Sequence, residues 1–370
     1  MPNRRDALLP SLPQEILLGV ALAREDETAR ALFERWLAAA PFDGPHDEGS
    51  LRLLPLVWKR LSQASDPHPL LPRLKGVFRS HWVKATRCIR DAAAAVAVLE
   101  TNGIRTMIGK GLPLALAYYP APALRPMNDA DIVVPFDDAP RASALLESSG
   151  FAARRRSWAV ERRLHHALMH LRADGAQIDL HWHVLYDCPN ETADRHFWSR
   201  AVPIEVEGVR TLRPAAGDLL FQVIVHGLRS NPSPPLRWVA DAAMILRSKD
   251  DIDWPALQAL AEAQGLTGRL QIGLSYLRGF GLPVPEAAVA RLGTKSSLLE
   301  RFELAAMRRE LRSPAWRQMR RTAQLLRLLK WDAHRGTLLL ALVREMHARG
   351  TAATGYPLGG GPRPTGRNSA

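Results

Sequence analysis

RPMNDADIVVP, residues 125–135, is the stretch on which the reading of this chain turns. Asp129 and Asp131 stand two residues apart, directly ahead of the apolar run Ile132-Val133-Val134. Side chains alternate along a strand, so both carboxylates would project from one face while the apolar run anchors the strand in a core. Two like charges on one face repel, so a cation is expected beside them. Farther on, Ile178-Asp179-Leu180 again sets an acid between apolar neighbours. Three carboxylates on strands of one small sheet form an oxygen-rich site that suits Mg²⁺, an ion that takes a few carboxylates plus substrate phosphates. Two such ions clamp the attacking and leaving oxygens of a phosphoryl displacement. The plainer reading of the same spacing is a polar strand start that caps a helix or faces solvent.

Working outward, the apolar stretch Ile104 to Ile108 leads into Gly109-Lys110-Gly111 and then a helix, LPLALAYY. A strand, a glycine turn and a helix together bring backbone N–H groups to phosphates. Neither a GxxxxGK[ST] loop nor a GxGxxG fingerprint is present. Lys110 reads as a point charge for a phosphate or as a surface lysine in a βα turn. DDAPRASALLESSG reads as a helix with a glycine stop. HHALMHLR and QIDLHWHVL read as strands joined through Asp174-Gly175, a strong hairpin signal. A two-residue turn there would set His170 opposite Asp179, Leu168 opposite His181 and His166 opposite His183. His166, His170, Asp179, His181 and His183 would then share a face, an inference that depends on register. IEVEGVRTL reads as a second hairpin turning at Glu207-Gly208.

On either side the apolar residues fall at three- and four-residue spacing. The expected fold class is therefore α+β: a small mixed-sheet core flanked by helical N- and C-terminal domains. The expected division is a helical region over 1–100, the core over 101–212, a helical domain over 213–349 and a disordered tail over 350–370. The chain of 370 residues is 46% hydrophobic and 24% charged, ordinary for a globular protein. Its net charge of +13 suits an anionic partner, or an arginine-rich surface that is simply solvated. The basic stretch 301–349 could contact RNA, DNA or anionic lipid, or present a solvated helix face. No run of uncharged apolar residues is long enough for a transmembrane segment, and the N-terminus shows no secretory signal. With only Cys88 and Cys188, a reducing, cytoplasmic setting is expected.

The order IGKGLPLALAYY, RPMNDADIVVP, a helix ending in Gly150 and then QIDLHWHVL resembles the polymerase-beta type of nucleotidyltransferase. More narrowly, over residues 85–245, it is similar to the group known as uncharacterised nucleotidyltransferases. That group pairs a Lys-Gly turn with an Arg…Asp-x-Asp strand and a later acid-Leu-His-Trp strand, here Asp179 to Trp182. The resemblance implies metal-dependent transfer of a nucleotidyl group from an NTP. Asp129 and Asp131 would hold two Mg²⁺ ions, with Mn²⁺ as the alternative, and Asp179 would complete the site beside the attacking hydroxyl. Gly109, Lys110, Gly111 and Arg125 would bind the nucleotide. The wider superfamily usually carries Gly-Gly or Gly-Ser at the turn, whereas the narrower group carries Lys-Gly as here, so Lys110 could supply a point charge to the triphosphate in place of a serine contact.

Arg125 could reach a phosphate or remain solvated. His226, Arg237 and Asp241 resemble the group's downstream helical element; Arg237 and Asp241, four residues apart on a helix, form an ion pair or contact nucleotide or acceptor. The histidines line a polar cleft, or His170 or His181 orients Asp179 or touches substrate, or they bind a transition metal, although no HExxH is present. The expected reaction moves an NMP, AMP from ATP, to an acceptor hydroxyl or phosphate and releases pyrophosphate. The acceptor stays open among small molecule, peptide or protein, and RNA. Two further readings are a non-catalytic nucleotide- or RNA-binding module and a metallohydrolase built on the histidine face.

Overall fold

Four helices open the chain, and three of them show a local start or stop. Gln14 reaches back to the Ser11 N–H to start α1 (Leu12–Leu22), and α2 spans Asp26–Ala39. The Asp47 carboxylate accepts the Ser50 N–H to start α3 (Glu48–Leu61), and the same carboxylate takes the Gln14 amide, tying α3 to α1. The long α4 (Leu71–Thr101) ends at Asn102, followed by Gly103 at φ +72°, the left-handed stop that glycine adopts without strain. The computed structural model describes residues 8–153, 157–158, 161–162, 165–229, 236–292, 296–308, 322 and 326–327.

The centre is a seven-stranded mixed sheet. Its strands are β1 (Met107–Gly109), β2 (Ala130–Val133), β3 (Phe151–Ala153), β4 (Ala167–Arg172), β5 (Gln177–His181), β6 (Val202–Val206) and β7 (Val209–Arg213), in the order β3-β4-β5-β2-β1-β7-β6. β2 runs parallel to β5 and β1 parallel to β7; the other neighbours are antiparallel. Between them come α5 (Gly111–Ala117), α6 (Ala139–Ser148) and α7 (Glu191–Arg200). The chain continues with α8 (Ala216–Gly227), α9 (Arg237–Leu246), α10 (Trp254–Gln264), α11 (Thr267–Gly279), α12 (Glu286–Ala290) and α13 (Leu298–Met307).

Alternation sends the strand residues into two cores. Ile108, Ala130, Ile132, Ile178 and Leu180 pack on one side with Ala85 to Leu99 of α4 and with Ala139, Ala142 and Leu146 of α6. Met107 and Val133, on the other side, join a core that also takes Phe33, Trp36 and Leu53 from the N-terminal helices and Leu219, Phe221 and Leu270 from the C-terminal ones. The first and last helical stretches thus share one core against the sheet face that carries Asp131. This is the mixed sheet with flanking helices that the hydrophobic pattern implied; β3 and α7 were not anticipated.

The first hairpin differs from expectation. Arg172 pairs with Ala176 across a three-residue loop, with Gly175 alone at φ +88°. The register therefore sets Met169 opposite Asp179, His170 opposite Ile178 and Ala167 opposite His181. A one-residue slip moves every side chain of a strand to the other face, so His170 leaves the carboxylate face. The second hairpin turns at Glu207 and Gly208 as expected, both at positive φ, with Val206 paired to Val209.

Among the described residues, no helix is long and apolar enough to cross a membrane. Most of the basic stretch 301–349, and all of the tail 350–370, lie outside the described residues.

Candidate active site

Register builds the site. Gly109 of β1 lies opposite Asp131 of β2, and Asp131 lies beside Asp179 of β5, so one row crosses three strands. His181, two residues beyond Asp179, turns its ring to the same place. Its Nε2 is 2.9 Å from Asp131 Oδ1 and 3.9 Å from Asp179 Oδ2. Asp131, Asp179 and His181 offer ligand atoms that all lie within 4.8 Å of one another.

Lys110 closes this group. Its ammonium donates to Asp131 Oδ1 at 2.5 Å and lies 3.2 Å from His181 Nε2. His181 Nε2 can donate to Asp131 or accept from Lys110, but not both at once. Burial alone would push the Asp131 carboxyl up; the Lys110 charge and the His181 contact overcome it and hold the group well below the usual carboxylate range. The backbone of Lys110 sits at φ +44°, ψ −103°, a conformation that costs a non-glycine residue about 1–3 kcal/mol. Its N–H faces Gln222 Oε1 at 3.4 Å. α5, which begins beside it, has only seven residues, so the side chain rather than the helix end is the charge offered here.

Asp129 precedes β2 and is solvent-exposed at the rim. Partial desolvation in the cleft mouth, then the charges of Asp131 and Asp179, push its carboxyl up. It is coupled to both acids, but the compact ligand group takes His181 in its place.

The remaining expected residues divide. Arg125 and Asp241 are both buried and joined by two bonds, Nε to Oδ1 at 3.0 Å and Nη2 to Oδ2 at 2.9 Å. Tyr119 also donates to Asp241, at 2.7 Å. Arg125 packs over Gly111, where a Cβ would overlap its Nη1. Asp241 is thus taken by Arg125 rather than by Arg237. The Arg237 guanidinium instead donates to the Pro126 carbonyl at 2.8 Å. Burial, then the repulsion of Arg125, brings Arg237 down to about 10. No carboxylate lies in salt-bridge contact with it among the described residues. His226, on α8, lies with Lys110, Tyr186 and Gln222 around a recess next to the acids. Burial, then the charges of Arg229 and Lys110, keep its ring well below the usual histidine range and so neutral.

His170 points away from the acids. It is fully buried, with Nε2 at 2.8 Å from Ser143 Oγ on α6 and Nδ1 at 3.0 Å from the Leu168 carbonyl. His183 is held by Asp194 at 2.6 Å, while His166 packs edge-on to His181. The histidines therefore do not converge as a set. Trp182, which strand alternation turns away from Asp179, is core.

Four residues escaped sequence reading. Gln222 braces Lys110 and the Val184 carbonyl, and a lone glutamine in the apolar run DLLFQVIVHG was a usable signal. Tyr119 and the Tyr186–Arg229 stack carried none.

A family comparison now bears on this arrangement. The sequence pattern of the uncharacterised nucleotidyltransferases matches residues 50–280, more than half of the chain and all of the site. The chain belongs to this family. Among solved structures, the solution structure of the antibiotic-resistance factor ANT(2'')-Ia is 12% identical, covering 48% of this chain and 91% of its own, with a TM-score of 0.35. An antigenic nucleotidyltransferase-like protein from Paracoccidioides brasiliensis is 14% identical, covering 56% of this chain and 98% of its own, with a TM-score of 0.35. Neither likeness is close enough to transfer a residue's role. No curated protein matches the chain. As an uncharacterised nucleotidyltransferase, the protein is an enzyme of nucleotidyl transfer, and an NTP and an acceptor are its implied substrates.

The donor set fits the divalent ion that such enzymes typically need. Two carboxylates on adjacent strands supply hard oxygen ligands, and a third acid stands at the rim. The His181 nitrogen suits Mn²⁺ better than Mg²⁺ as a direct ligand, and either ion if it only orients Asp131.

Proposed function

We propose that the protein transfers an NMP, with ATP as donor, to an acceptor hydroxyl or phosphate, through Mg²⁺ or Mn²⁺ ions held by Asp131 and Asp179 with Asp129 at the rim. The acceptor oxygen forms a bond to the α-phosphorus. The bond from that phosphorus to the bridging oxygen breaks, and pyrophosphate leaves. When bound, the ions supply charge neutralisation at the transferring phosphoryl group.

The protein's own residues do the rest. Asp179, partly exposed on the strand next to Asp131, takes the acceptor proton in this reading. Lys110 and Arg237 offer cations to the β- and γ-phosphates, and positioning with charge neutralisation is most of what such transfers require. Arg125 does not meet phosphate in this reading; paired with Asp241, it fixes the loop that leads into β2. His181 orients Asp131, and neutral His226 lines the recess beside Lys110.

The observation that carries the reading is the row Gly109–Asp131–Asp179, locked across three strands by backbone pairing. The test is incubation of the protein with each α-labelled NTP, Mg²⁺ or Mn²⁺, and an extract fractionated into small molecules, proteins and RNA. Label should enter one fraction, and Asp131→Asn should lower the rate at least about a thousand-fold while the folded far-UV spectrum persists, since several kcal/mol of transition-state charge stabilisation is lost. Retained turnover in that variant would overturn the assignment. Nucleotide binding without label transfer to any fraction would favour a binding module on the same fold.

A further inference from the structure

Lys110 occupies the place where a divalent ion would go. Its Nζ bonds Asp131 Oδ1 at 2.5 Å and sits 3.2 Å from His181 Nε2, so it engages two of the three ligand groups that cluster within 4.8 Å. Lys110 and His181 already both engage Asp131 Oδ1, and an ammonium beside a divalent cation on that oxygen would repel it, so the two compete for the position. The lysine reaches the position through a strained backbone, φ +44°, between two glycines that bear no such strain. The turn fixes the root of the side chain, whose four-carbon stem stays free to swing. Lys110 also borders a small recess with Gln222, Tyr186 and His226, whose lining includes neither Asp131 nor His181.

We infer that Lys110 is an internal counter-ion that blocks the metal position in the free protein and moves to the triphosphate when the nucleotide enters, so that metal and nucleotide load together. The inference rests on the nucleotidyl-transfer reading and adds an order to it. Departure of Lys110 alone would leave Asp129, Asp131 and Asp179 facing one another without a cation. Arrival of the ion alone would cost the ammonium its partner. Arrival of both exchanges one cation for another at the acids and gives the lysine a new anion, so each ligand favours the other, reciprocally. Lys110 acts here as a positioning residue whose effect is read in metal binding rather than in rate.

The test is a Mn²⁺ titration by electron paramagnetic resonance on the wild-type chain and Lys110→Met, with and without a non-transferable ATP analogue. Lys110→Met should bind Mn²⁺ alone at least tenfold more tightly than the wild type and lose most of the gain that the analogue brings. A second measurement uses the wild type alone: amine acylation followed by peptide mass spectrometry, with Lys59 and Lys75 as internal references. Saturating Mn²⁺ should raise Lys110 labelling severalfold, and added analogue should lower it again. Unchanged labelling overturns the inference even if the variant binds Mn²⁺ more tightly, because that result would be a field effect without displacement. Should Lys110→Met fail to fold, the labelling decides by itself. If Mn²⁺ and analogue bind and transfer proceeds but Lys110 labelling stays constant, only this inference falls. If no Mn²⁺ binds under any condition, the metal-dependent reading falls and takes it along.

Discussion

Gly111→Ala is the substitution whose consequence can be worked out most fully. A Cβ at this position would overlap Arg125 Nη1 and lie 3.2 Å from its Cζ and 3.4 Å from Met127 Sδ. An arginine tip usually yields at small cost, but this one is buried and held by two bonds to a buried carboxylate. Hydrogen bonds to charged groups are each worth about 1.5–3 kcal/mol, so losing both would cost about 3–6 kcal/mol, and a shifted guanidinium that keeps one of them costs about 1.5–3 kcal/mol. At a urea slope of about 3 kcal/mol/M, that smaller loss lowers the unfolding midpoint by about 0.5–1 M. Tryptophan fluorescence reads it. The decisive control is the triple variant Tyr119→Phe, Arg125→Met, Asp241→Leu, which removes every polar partner of the pair without stranding one. Gly111→Ala should cost under about 1 kcal/mol in that background, the difference being the coupling energy between the alanine methyl and the ion pair. A stability within about 0.5 kcal/mol of wild type in the original background would refute the close-approach account.

Arg237→Met should raise KM for the NTP about tenfold or more, as expected for losing one charged hydrogen bond to phosphate, while the lost bond to the Pro126 carbonyl costs at most about 1.5–3 kcal/mol of stability; steady-state kinetics at fixed metal reads it, and an unchanged KM would remove Arg237 from the nucleotide site. His170→Leu should cost about 1–3 kcal/mol in urea unfolding, because Ser143 loses its buried partner, yet leave kcat unaltered; a collapse of kcat in folded protein would contradict the register of β4. The Arg172 contact and the Ala176 N–H hold the Asp174 carboxyl down to about 2, below its unfolded value of about 3.9. A depressed pKa stabilises above the unfolded value and ceases to do so as pH falls through the folded one, so wild type should exceed Asp174→Asn in thermal stability at pH 6 and the gap should close between about pH 4 and pH 2. A gap that persists at pH 2 would show that the turn owes nothing to that charge.

What sequence could reveal follows from the range of the forces involved. Glu207-Gly208 and Asp174-Gly175 look alike as turn signals, yet one closes a two-residue turn and the other a three-residue loop. At the first, both residues take positive φ; at the second, only Gly175 does. At the second, Arg172 bonds its neighbour Asp174 and also Asp91 of the distant α4. The bond to Asp91 is non-local, and no local pattern contained it. The same holds for Arg125, whose partner Asp241 is 116 residues away, whereas the neighbour at helical spacing, Arg237, turned to a carbonyl.

The acids show the limit most clearly. Spacing along the chain nominates Asp129 as the companion of Asp131, but residues i and i+2 of a strand lie about 6.6 Å apart, and neighbouring strands only about 4.8 Å. A compact ligand group is therefore built more readily across strands than along one. Parallel pairing of β2 with β5 puts Asp179 beside Asp131 and brings His181 within reach, while Asp129 falls outside the strand at the rim. An acid inside an apolar run was visible as an anomaly of composition wherever it occurred. Which anomalies meet was decided by strand order, a property that the alternation of side chains leaves undetermined.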